Sequence, residues 1–237
     1  MALEKTQWLS VIVPVWREGA TLVPVLRALA ELRASGHEVI VVDGGSDDGS
    51  AETAAPWCDR VLVAGKGRAH QMNAGAAVAR GEVLLFLHAD TRLPATALAD
   101  LSRFYHSDHG WGRFDVRLSG RRKLFRVIAW CMNRRSWLTG IATGDQAMFV
   151  RRNLFEQLGG FTDMPLMEDI ELSRRLRNVT RPFCIARPVM TNSRRWEQQG
   201  AWRTIWLMWT LRWRYWRGES PDVLAKVYRS DVRNHSS

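Results

Sequence analysis

Residues 38–50 read EVIVVDGGSDDGS, an apolar run that changes abruptly into a polar, glycine-rich loop. An apolar run without alternation is typical of a strand buried on both faces of a parallel sheet. A run of the same kind, Leu9 to Val15, precedes it, and apolar residues at helical spacing lie between the two, from Thr21 to Arg33. The order strand, helix, strand predicts a parallel pair joined by a covering helix.

The same alternation continues along the chain. Further strands are predicted at Arg60 to Val63 and at Glu82 to Leu87. An alanine-rich segment, Gly67 to Arg80, favours a helix between them, and Pro94 opens another helix that runs to about Tyr105. The sequence therefore predicts an α/β fold with a mostly parallel central sheet and flanking helices.

The second half of the chain is less regular. Six elements are predicted there: an edge or antiparallel strand at Trp111 to Leu118, an amphipathic helix at Arg121 to Met132, a strand at Gln146 to Val150, a short helix at Arg152 to Leu158, a helix at Met167 to Asn178, and a short strand at Phe183 to Ala186. Neither an internal repeat nor a low-complexity linker marks a domain boundary.

Composition limits the partners of this chain. Its 237 residues contain 34 Lys+Arg against 24 Asp+Glu, a net charge of +10, and 12 Trp. A basic balance favours anionic partners such as nucleotide phosphates or anionic lipid. Neither a zinc-finger pattern nor an RNP-type sequence is present, which disfavours nucleic acid.

The cysteines and the length of the apolar runs indicate the cellular compartment of the protein. The three cysteines are far apart and form neither a zinc signature nor a disulfide framework. Residues 1–10 lack the long apolar core of a signal peptide, and no run reaches the roughly 18 apolar residues that span a bilayer. We expect a cytoplasmic protein, with peripheral contact at the inner face of the membrane as an added possibility.

Polar segments follow three of the predicted strands: Val15 to Glu18, Asp43 to Ser50, and His88 to Asp90. In an open parallel sheet, ligands bind outside the carboxyl ends of the strands. Each segment alone is explained by a capped turn, but three at one edge favour a ligand site. The absence of a Walker sequence and of GxGxxG after the first strand disfavours P-loop and dinucleotide-binding proteins.

Four runs carry a resemblance to a known family: VIVPVWRE at 11–18, VVDGGSDDGS at 41–50, LLFLHADT at 84–91 and MEDIELSRRL at 167–176. In this order and spacing they resemble family 2 glycosyltransferases of GT-A fold, over roughly residues 8 to 190. Details such as HADT look like a bacterial subgroup labelled as associated with arsenosugar biosynthesis or radical-SAM genes. The resemblance implies a catalytic domain at 1–190, divided into a nucleotide-sugar half (about 1–92) and an acceptor half (about 93–190), with a C-terminal helical extension at 191–237.

The resemblance also implies a nucleotide-diphosphate sugar as donor, with UDP favoured over GDP on family frequency alone. It assigns nucleotide contacts in the first half to Pro14, Val15, Glu18, Asp43, Asp47, Arg68 and Asn73. The carboxylate of Asp43 suits a base N–H. The guanidinium of Arg68 suits a phosphate, since it stays charged and can bond in two places.

The segment His88-Ala89-Asp90 stands where the family has its metal-binding DXD motif. The resemblance implies that Asp90 bridges a divalent metal and the diphosphate, because Mg²⁺ prefers oxygen ligands. His88 replaces the first Asp, which puts the usual contact in doubt and would favour Mn²⁺, a better partner for nitrogen. The alternative is that His88 only packs at a strand end.

Glu168 and Asp169 match the acidic pair that supplies the catalytic base of inverting members. We expect Asp169 to be the base and Glu168 to support it, although acidic residues at a helix N-terminus also suit the helix dipole. Asp145 and Gln146 are weaker candidates for acceptor contacts, since a Gly-Asp turn explains them equally well. Basic residues after the last predicted strand, Arg194 and Arg195, could reach the diphosphate or form a solvated pair.

The arginine and tryptophan excess is concentrated between Arg194 and Arg217, where there are six of each. In a helix, five of these tryptophans fall on one narrow stripe: Trp202, Trp206, Trp209, Trp213 and Trp216. One interpretation is an interfacial helix at an anionic membrane surface, over residues 202–217. The other is that the stripe packs on the catalytic domain or on a subunit while the arginines point outward.

The sequence thus predicts a metal-assisted, inverting glycosyltransferase that moves a sugar from a nucleotide-diphosphate sugar to an acceptor hydroxyl. Two alternatives from other classes remain. A nucleotidyltransferase also combines a metal with a Rossmann-like sheet, but its basic glycine-rich loop after the first strand is absent. The other alternative is a non-catalytic protein that binds sugar nucleotides or a membrane surface.

Overall fold

A computed structural model describes residues 7–233, apart from the side chains of Ala20, Arg195 and residues 231–233. Residues 1–6, most of the segment compared above with a signal peptide, therefore lie outside the described residues. The last residues of the C-terminal extension lie outside them as well. The described strands are β1 Leu9–Val15, β2 Glu38–Asp43, β3 Arg60–Val63, β4 Val83–Phe86, β5 Thr91–Arg92, β6 Trp111–Leu118, β7 Phe149–Arg151 and β8 Phe183–Thr191.

These strands form one mixed sheet in the order β3-β2-β1-β4-β7-β6-β8-β5. β1 pairs in parallel with both β2 and β4, and β2 pairs in parallel with β3. β7 is antiparallel to β4 and β6, whereas β6 and β8 run parallel. The predicted α/β fold is confirmed, and the carboxyl ends of β1, β2 and β4 lie side by side.

The described helices are α1 Gly19–Arg27, α2 Ala30–Ala34, α3 Ser50–Ala54, α4 Arg68–Val78, α5 Ala97–Tyr105, α6 Lys123–Thr139, α7 Arg152–Gln157, α8 Glu168–Val179, α9 Arg194–Gln198, α10 Ala201–Trp216 and α11 Pro221–Arg233. Short 3₁₀ turns occur at Ala55–Trp57 and Gly144–Gln146. Within the described part of the chain, no helix combines the length and apolar character that crossing a membrane requires.

Each face of the sheet carries a hydrophobic layer. One face packs against α1 and α5 through residues such as Leu22, Leu26 and Phe104. The other packs against α4, α7 and α8, where Met72, Leu172 and others contribute. Apolar runs without alternation were the correct signal for β1, β2 and β4, because both faces of these strands are buried.

Some predicted boundaries were wrong. The helix expected from Thr21 to Arg33 is divided into α1 and α2, with Pro24 inside α1. The strand expected at Gln146 to Val150 begins only at Phe149, because the side chain of Gln146 caps the preceding 3₁₀ turn by accepting a hydrogen bond from the Thr143 N–H. The last strand continues beyond Ala186 to Thr191, since it pairs along most of β6.

The C-terminal extension is packed against the rest of the chain. Leu207 and Leu211 of α10, with Leu224 of α11, form a buried cluster with Leu166 and Met167, which immediately precede α8. A second cluster joins Ala201 and Ile205 of α10 to Phe125 and Ile128 of α6. The extension thus contacts the segment that leads into Glu168 and Asp169.

The tryptophan stripe of α10 faces outward. Its five members, Trp202, Trp206, Trp209, Trp213 and Trp216, are between 55% and 82% exposed. The buried side of α10 carries Leu207 and Leu211 instead. The interpretation in which the stripe packs on the catalytic domain is therefore wrong.

Candidate active site

The carboxyl ends of β1 and β2 form one part of the predicted site. Pro14, Val15 and Asp43 are all buried there. Asp43 accepts hydrogen bonds from the backbone N–H of Ser46 (3.0 Å) and from its hydroxyl (2.5 Å), which fix the loop after β2. Gln71 of α4 ties the two strand ends together by donating to the carbonyls of Val15 (2.6 Å) and Val42 (2.8 Å).

Three other predicted nucleotide residues make local contacts. Glu18 accepts a hydrogen bond from the Thr21 hydroxyl (2.7 Å), and Asp47 forms an exposed ion pair with Arg17 (2.6 Å). The amide of Asn73 bonds the backbone N–H and carbonyl of Phe161 (2.9 and 2.8 Å). Both ends of that amide are therefore occupied by the chain itself.

A cation–aromatic pair at this edge was missed from the sequence. The ammonium of Lys66 lies 3.5 Å from the ring centroid of Trp16, and Trp16 is 40% exposed. Trp16 follows β1 and Lys66 precedes α4, so the pair lies at the same edge of the sheet as Asp43. A tryptophan directly after a buried strand was the available signal.

Most of the other predicted residues lie at a cavity of about 880 Å³. Six of them line it: Arg68, His88, Asp90, Asp145, Asp169 and Arg194. Ala89 and Gln146 are buried and do not line it. The side chain of Arg195 lies outside what the structure describes. The volume is in the range of small-molecule sites.

Asp169 is held at the start of α8 by backbone groups. One carboxylate oxygen accepts the N–H of Gly144 (2.7 Å) and the other accepts the N–H of Ile170 (2.7 Å). Met167, immediately before the acidic pair, has a φ of 71°. A left-handed conformation is costly for a residue with a side chain and often occurs at functional sites. The acidic pair is thus presented by a constrained turn.

Glu168 is turned away from the cavity and is buried. Its Oε1 lies 2.9 Å from Nε of Arg68, while its Oε2 is buried without a hydrogen-bond partner. Burial raises the pKa of Glu168, and the charge of Arg68 opposes that shift. Burial acts to lower the pKa of Arg68, but the charges of Glu168 and Asp169 outweigh it and raise that pKa. The arrangement makes Glu168 the partner of Arg68.

His88 packs against Gly144 and faces Asp145. Its Nδ1 lies 3.6 Å from Oδ1 of Asp145. Burial, the largest single effect, acts against the charged imidazolium, but the interaction with Asp145 and the charge of Asp90 together outweigh it and raise the pKa of His88. A Cβ at Gly144 would lie 2.3 Å from Cε1 and Nε2 of His88. Gly144 therefore connects the histidine on one side with Asp169 on the other.

Asp90 is exposed at the cavity and accepts a hydrogen bond from the Thr91 hydroxyl (3.1 Å). Among the described residues, no group of three or more His, Cys, Asp or Glu side chains is arranged to hold a metal by itself. A magnesium ion in a nucleotide site typically takes one or two carboxylates and completes its shell with phosphates and water. Asp90 supplies one such carboxylate, and His88 lies two residues earlier on the same cavity wall. These side chains fit a metal site that phosphates and water would complete.

Two arginines of the cavity were not predicted. Arg135 of α6 and Arg212 of α10 both line it, and the Nε and Nη2 atoms of Arg135 are buried without a hydrogen-bond partner. Burial and the like charge of Arg212 lower the pKa of Arg135 to about 10. Burial also lowers the pKa of Arg212. In the sequence these residues look like the solvated face of an amphipathic helix.

Comparison with known proteins gives the family and relatives of this chain. The model of Glycosyl transferase family 2 matches residues 10–159, more than half of the chain. The chain is 28% identical over 240 residues to "Probable glycosyltransferase YdaM" of Bacillus subtilis (strain 168), covering 91% of this chain and 56% of that protein. It is 38% identical over 102 residues to "Uncharacterized protein MT1568" of Mycobacterium tuberculosis, covering 40% and 31%. The chain spans about half or less of these curated relatives.

Solved structures share the fold. Mannosyltransferase PcManGT from Pyrobaculum calidifontis, in complex with GDP-Man and Mn²⁺, matches with a TM-score of 0.58 and 24% identity over 81% of this chain and 59% of that one. S. aureus TarS 1-349 with UDP-GlcNAc matches at 0.63 and 18%, over 78% and 58%. Glucosyl-3-phosphoglycerate synthase from Mycobacterium tuberculosis, with Mn²⁺ and UDP, matches at 0.56 and 16%, over 77% and 71%.

Proposed function

This chain belongs to glycosyltransferase family 2 and has a GT-A fold; on that premise we propose that it is an inverting glycosyltransferase with Asp169 as general base. The observation that carries the proposal is the position of Asp169. Its carboxylate lines the cavity, is oriented by two backbone N–H groups, and shares the cavity with Asp90. Glu168, the other acidic candidate, is buried against Arg68 and supports that arginine instead.

The reaction is a single displacement. The oxygen of the acceptor hydroxyl forms a bond to the anomeric carbon of the donor sugar, on the face opposite the diphosphate. The bond between that carbon and the diphosphate oxygen breaks, and the nucleoside diphosphate leaves with the electron pair. The hydroxyl proton passes to the Asp169 carboxylate. Arg68 and Arg194, both at the cavity, are placed to offset the negative charge of the leaving diphosphate.

A divalent cation, Mg²⁺ or Mn²⁺, is part of the proposal. Asp90 would hold it, with His88 as a second candidate ligand. When bound, such a cation neutralises charge on the diphosphate. Solved neighbours crystallised with Mn²⁺ support this choice.

The donor is proposed to be a nucleotide-diphosphate sugar. Solved neighbours carry GDP-Man in one case and UDP-GlcNAc in another, so they support the donor class without selecting the base. UDP stays our prediction, as does membership of the subgroup associated with arsenosugar biosynthesis. Asp145 stays a candidate for direct contact with the acceptor. Gln146 stays a candidate that acts through the 3₁₀ turn it caps.

The test compares Asp169→Asn with Asp90→Ala, using Asp108→Asn as a control at an exposed carboxylate outside the cavity. Thermal shifts with UDP and GDP, each with Mn²⁺ or Mg²⁺, report nucleotide binding, because a ligand that binds only the folded state raises Tm. Donor turnover is measured as release of nucleoside diphosphate. We expect Asp169→Asn to abolish turnover while keeping the thermal shift, and Asp90→Ala to lose the metal-dependent part of the shift.

Equal loss of binding and turnover in Asp169→Asn would contradict its role as base. An unchanged metal requirement in Asp90→Ala would contradict its role as ligand. Release of pyrophosphate from a nucleoside triphosphate would instead establish a nucleotidyltransferase. Tight nucleotide binding without any turnover would favour a binding protein.

We also propose that the protein associates peripherally with an anionic membrane surface through residues 202–217. The support is the exposed tryptophan stripe of α10 together with the net charge of +10. Tryptophan favours the level of the lipid headgroups, and arginine meets their phosphates. Contact would be at the inner face of the membrane if the protein is cytoplasmic, as expected from its sequence.

A further inference from the structure

The cavity continues beyond the candidate base into a groove with apolar walls. On the α6 side it is lined by Leu124, Val127, Ile128, Cys131 and Leu138, and on the α10 side by Trp202, Ile205, Met208 and Trp209. Within each helix these residues are separated by one, three, four or seven positions, the spacings typical of one helix face, so each wall is one face of its helix. A polar sugar donor does not need such a surface.

The groove is open rather than filled by the protein. Val127 and Leu138 of α6 are 56% and 67% exposed, and Trp202 and Trp209 of α10 are 73% and 71% exposed. Large exposed apolar patches on a protein mark interaction sites, since they are costly in water. These four side chains are therefore largely uncovered within the described part of the chain, whereas Ile128 and Ile205 of the same walls pack in a hydrophobic cluster with Phe125 and Ala201.

Positive charge is concentrated where the groove meets Asp169. Arg135 from one wall and Arg212 from the other line the same cavity, and the charge of Arg212 acts against the charged form of Arg135. The acidic groups that act on them are Asp169 and Asp145, on the acceptor side, rather than Asp90. Two desolvated guanidinium groups, one with unpaired N–H atoms, are suited to an anion.

We propose that this groove binds the acceptor, and that the acceptor is an anionic lipid whose headgroup carries the reacting hydroxyl. This rests on the proposed transferase function. The lipid chain lies between α6 and α10, its anionic group pairs with Arg135 and Arg212, and its hydroxyl reaches Asp169. The bond changes are those of the displacement above: the lipid oxygen bonds to the anomeric carbon, the diphosphate leaves, and the proton passes to Asp169.

The exposed tryptophan stripe gives the groove a physical context. Trp202 and Trp209 belong both to the stripe and to the groove wall. A helix that lies in the headgroup layer would therefore place the groove opening at the depth where lipid chains begin. A free, water-soluble metabolite as acceptor would use the arginines and leave the walls exposed.

Cys131 provides a direct readout of occupancy. It lines the groove and is exposed, whereas Cys58 is buried and Cys184 is half-buried. The experiment measures the rate at which a maleimide modifies Cys131 in the full chain. The probes are dodecyl phosphate below its micelle concentration, dodecyl maltoside with the same chain and a neutral headgroup, and inorganic phosphate without a chain. Modification of Cys58 and Cys184 is followed as a check on folding.

We expect dodecyl phosphate to slow modification of Cys131 at concentrations where the other two probes have little effect. Its apparent Kd should tighten with chain length, by up to about fourfold for each methylene that becomes buried. Arg135→Gln and Arg212→Gln should each weaken it about tenfold or more, because each removes a charge-assisted hydrogen bond. Arg134→Gln, on the exposed side of the same helix, is the matched control and should change nothing.

The wall is tested in the same assay. Val127→Asp places a charge on the groove and should abolish protection by dodecyl phosphate, whereas Val179→Asp, equally exposed but outside the cavity, should not. Equal protection by dodecyl maltoside and dodecyl phosphate would contradict an anion site at Arg135 and Arg212. Protection by inorganic phosphate alone would contradict a lipid as the ligand. No protection by any probe would contradict ligand binding in the groove. Because these readouts need no donor, they are independent of the nucleotide-binding and turnover tests that decide the proposed function.

Discussion

At the scale of single residues, Gly144 determines the geometry around the candidate base. Its N–H donates to Asp169 at 2.7 Å, and the space a side chain would fill is occupied by the His88 ring. The residue thus fixes the distance between a histidine from the end of β4 and a carboxylate from the start of α8. A glycine is needed here for close approach, since its backbone φ is not in the left-handed region.

We predict that Gly144→Ala lowers kcat by about tenfold or more, because the new methyl group displaces His88 and misplaces the N–H that orients Asp169. The part of the nucleotide thermal shift that needs no metal should persist, since Asp43 and its loop are not touched. Gly65→Ala is the control: a Cβ there has no neighbour within 4 Å. Wild-type turnover in Gly144→Ala would show that the orientation of Asp169 does not depend on this contact.

Sequence motifs indicated which residues carry charge at the cavity but not how they are paired. The acidic pair gave two adjacent carboxylates, and only the fold shows that Glu168 is buried on Arg68 while Asp169 faces the cavity. Arg135 and Arg212 had no local signal at all. They come from helices far apart in the sequence, and their proximity depends on packing of the extension against α6.

At the scale of elements, α4 lies unusually close to the sheet. A Cβ at Gly75 would lie 2.5 Å from Cγ2 of Ile12 on β1 and 3.0 Å from Cγ2 of Val42 on β2. The same helix carries Gln71, which bonds the carbonyls at the ends of both strands. Close packing of α4 therefore also sets the position of Asp43, at the end of β2, relative to Arg68, at the start of α4.

We predict that Gly75→Ala destabilises the protein by about 1–3 kcal/mol through overpacking, despite the better helix propensity of alanine. For a chain of this length the melting temperature should fall by about 2–4 °C for each kcal/mol. Ala77→Ser changes an exposed position of the same helix and is the control. Differential scanning calorimetry measures both, and a rise in Tm for Gly75→Ala would contradict the close approach.

The first half of the fold could be predicted well because β1, β2 and β4 are buried on both faces, which leaves continuous apolar runs in the sequence. The second half could not, since β7 is three residues long and antiparallel, and its start is set by a capping contact between Thr143 and Gln146. Helix α11 was not separately predicted. Its buried residues, Leu224 and Ala225, are explained only by the cluster with α10 and Met167.

At the scale of the whole molecule, one side of the protein combines the cavity opening with the exposed face of α10. Trp202 and Trp209 belong to both, whereas Trp206 and Trp216 are 70% and 82% exposed and do not line the cavity. The last two can therefore report membrane contact separately from acceptor binding. With a net charge of +10, attraction to an anionic surface would add to the apolar contribution.

We predict that the full chain co-floats with vesicles that contain phosphatidylglycerol and not with vesicles of phosphatidylcholine alone. Raising the salt from about 0.1 M to about 1 M should weaken this, because the screening length falls from about 10 Å to about 3 Å. The double variant Trp206→Ser, Trp216→Ser should stay at the bottom of the gradient, since each tryptophan that inserts into the headgroup layer contributes to membrane binding. Val63→Ser, 73% exposed on β3, is the control and should float normally. Flotation that survives the double variant would mean that α10 is not the contact, whereas absence of flotation for the unmodified chain would end the membrane proposal.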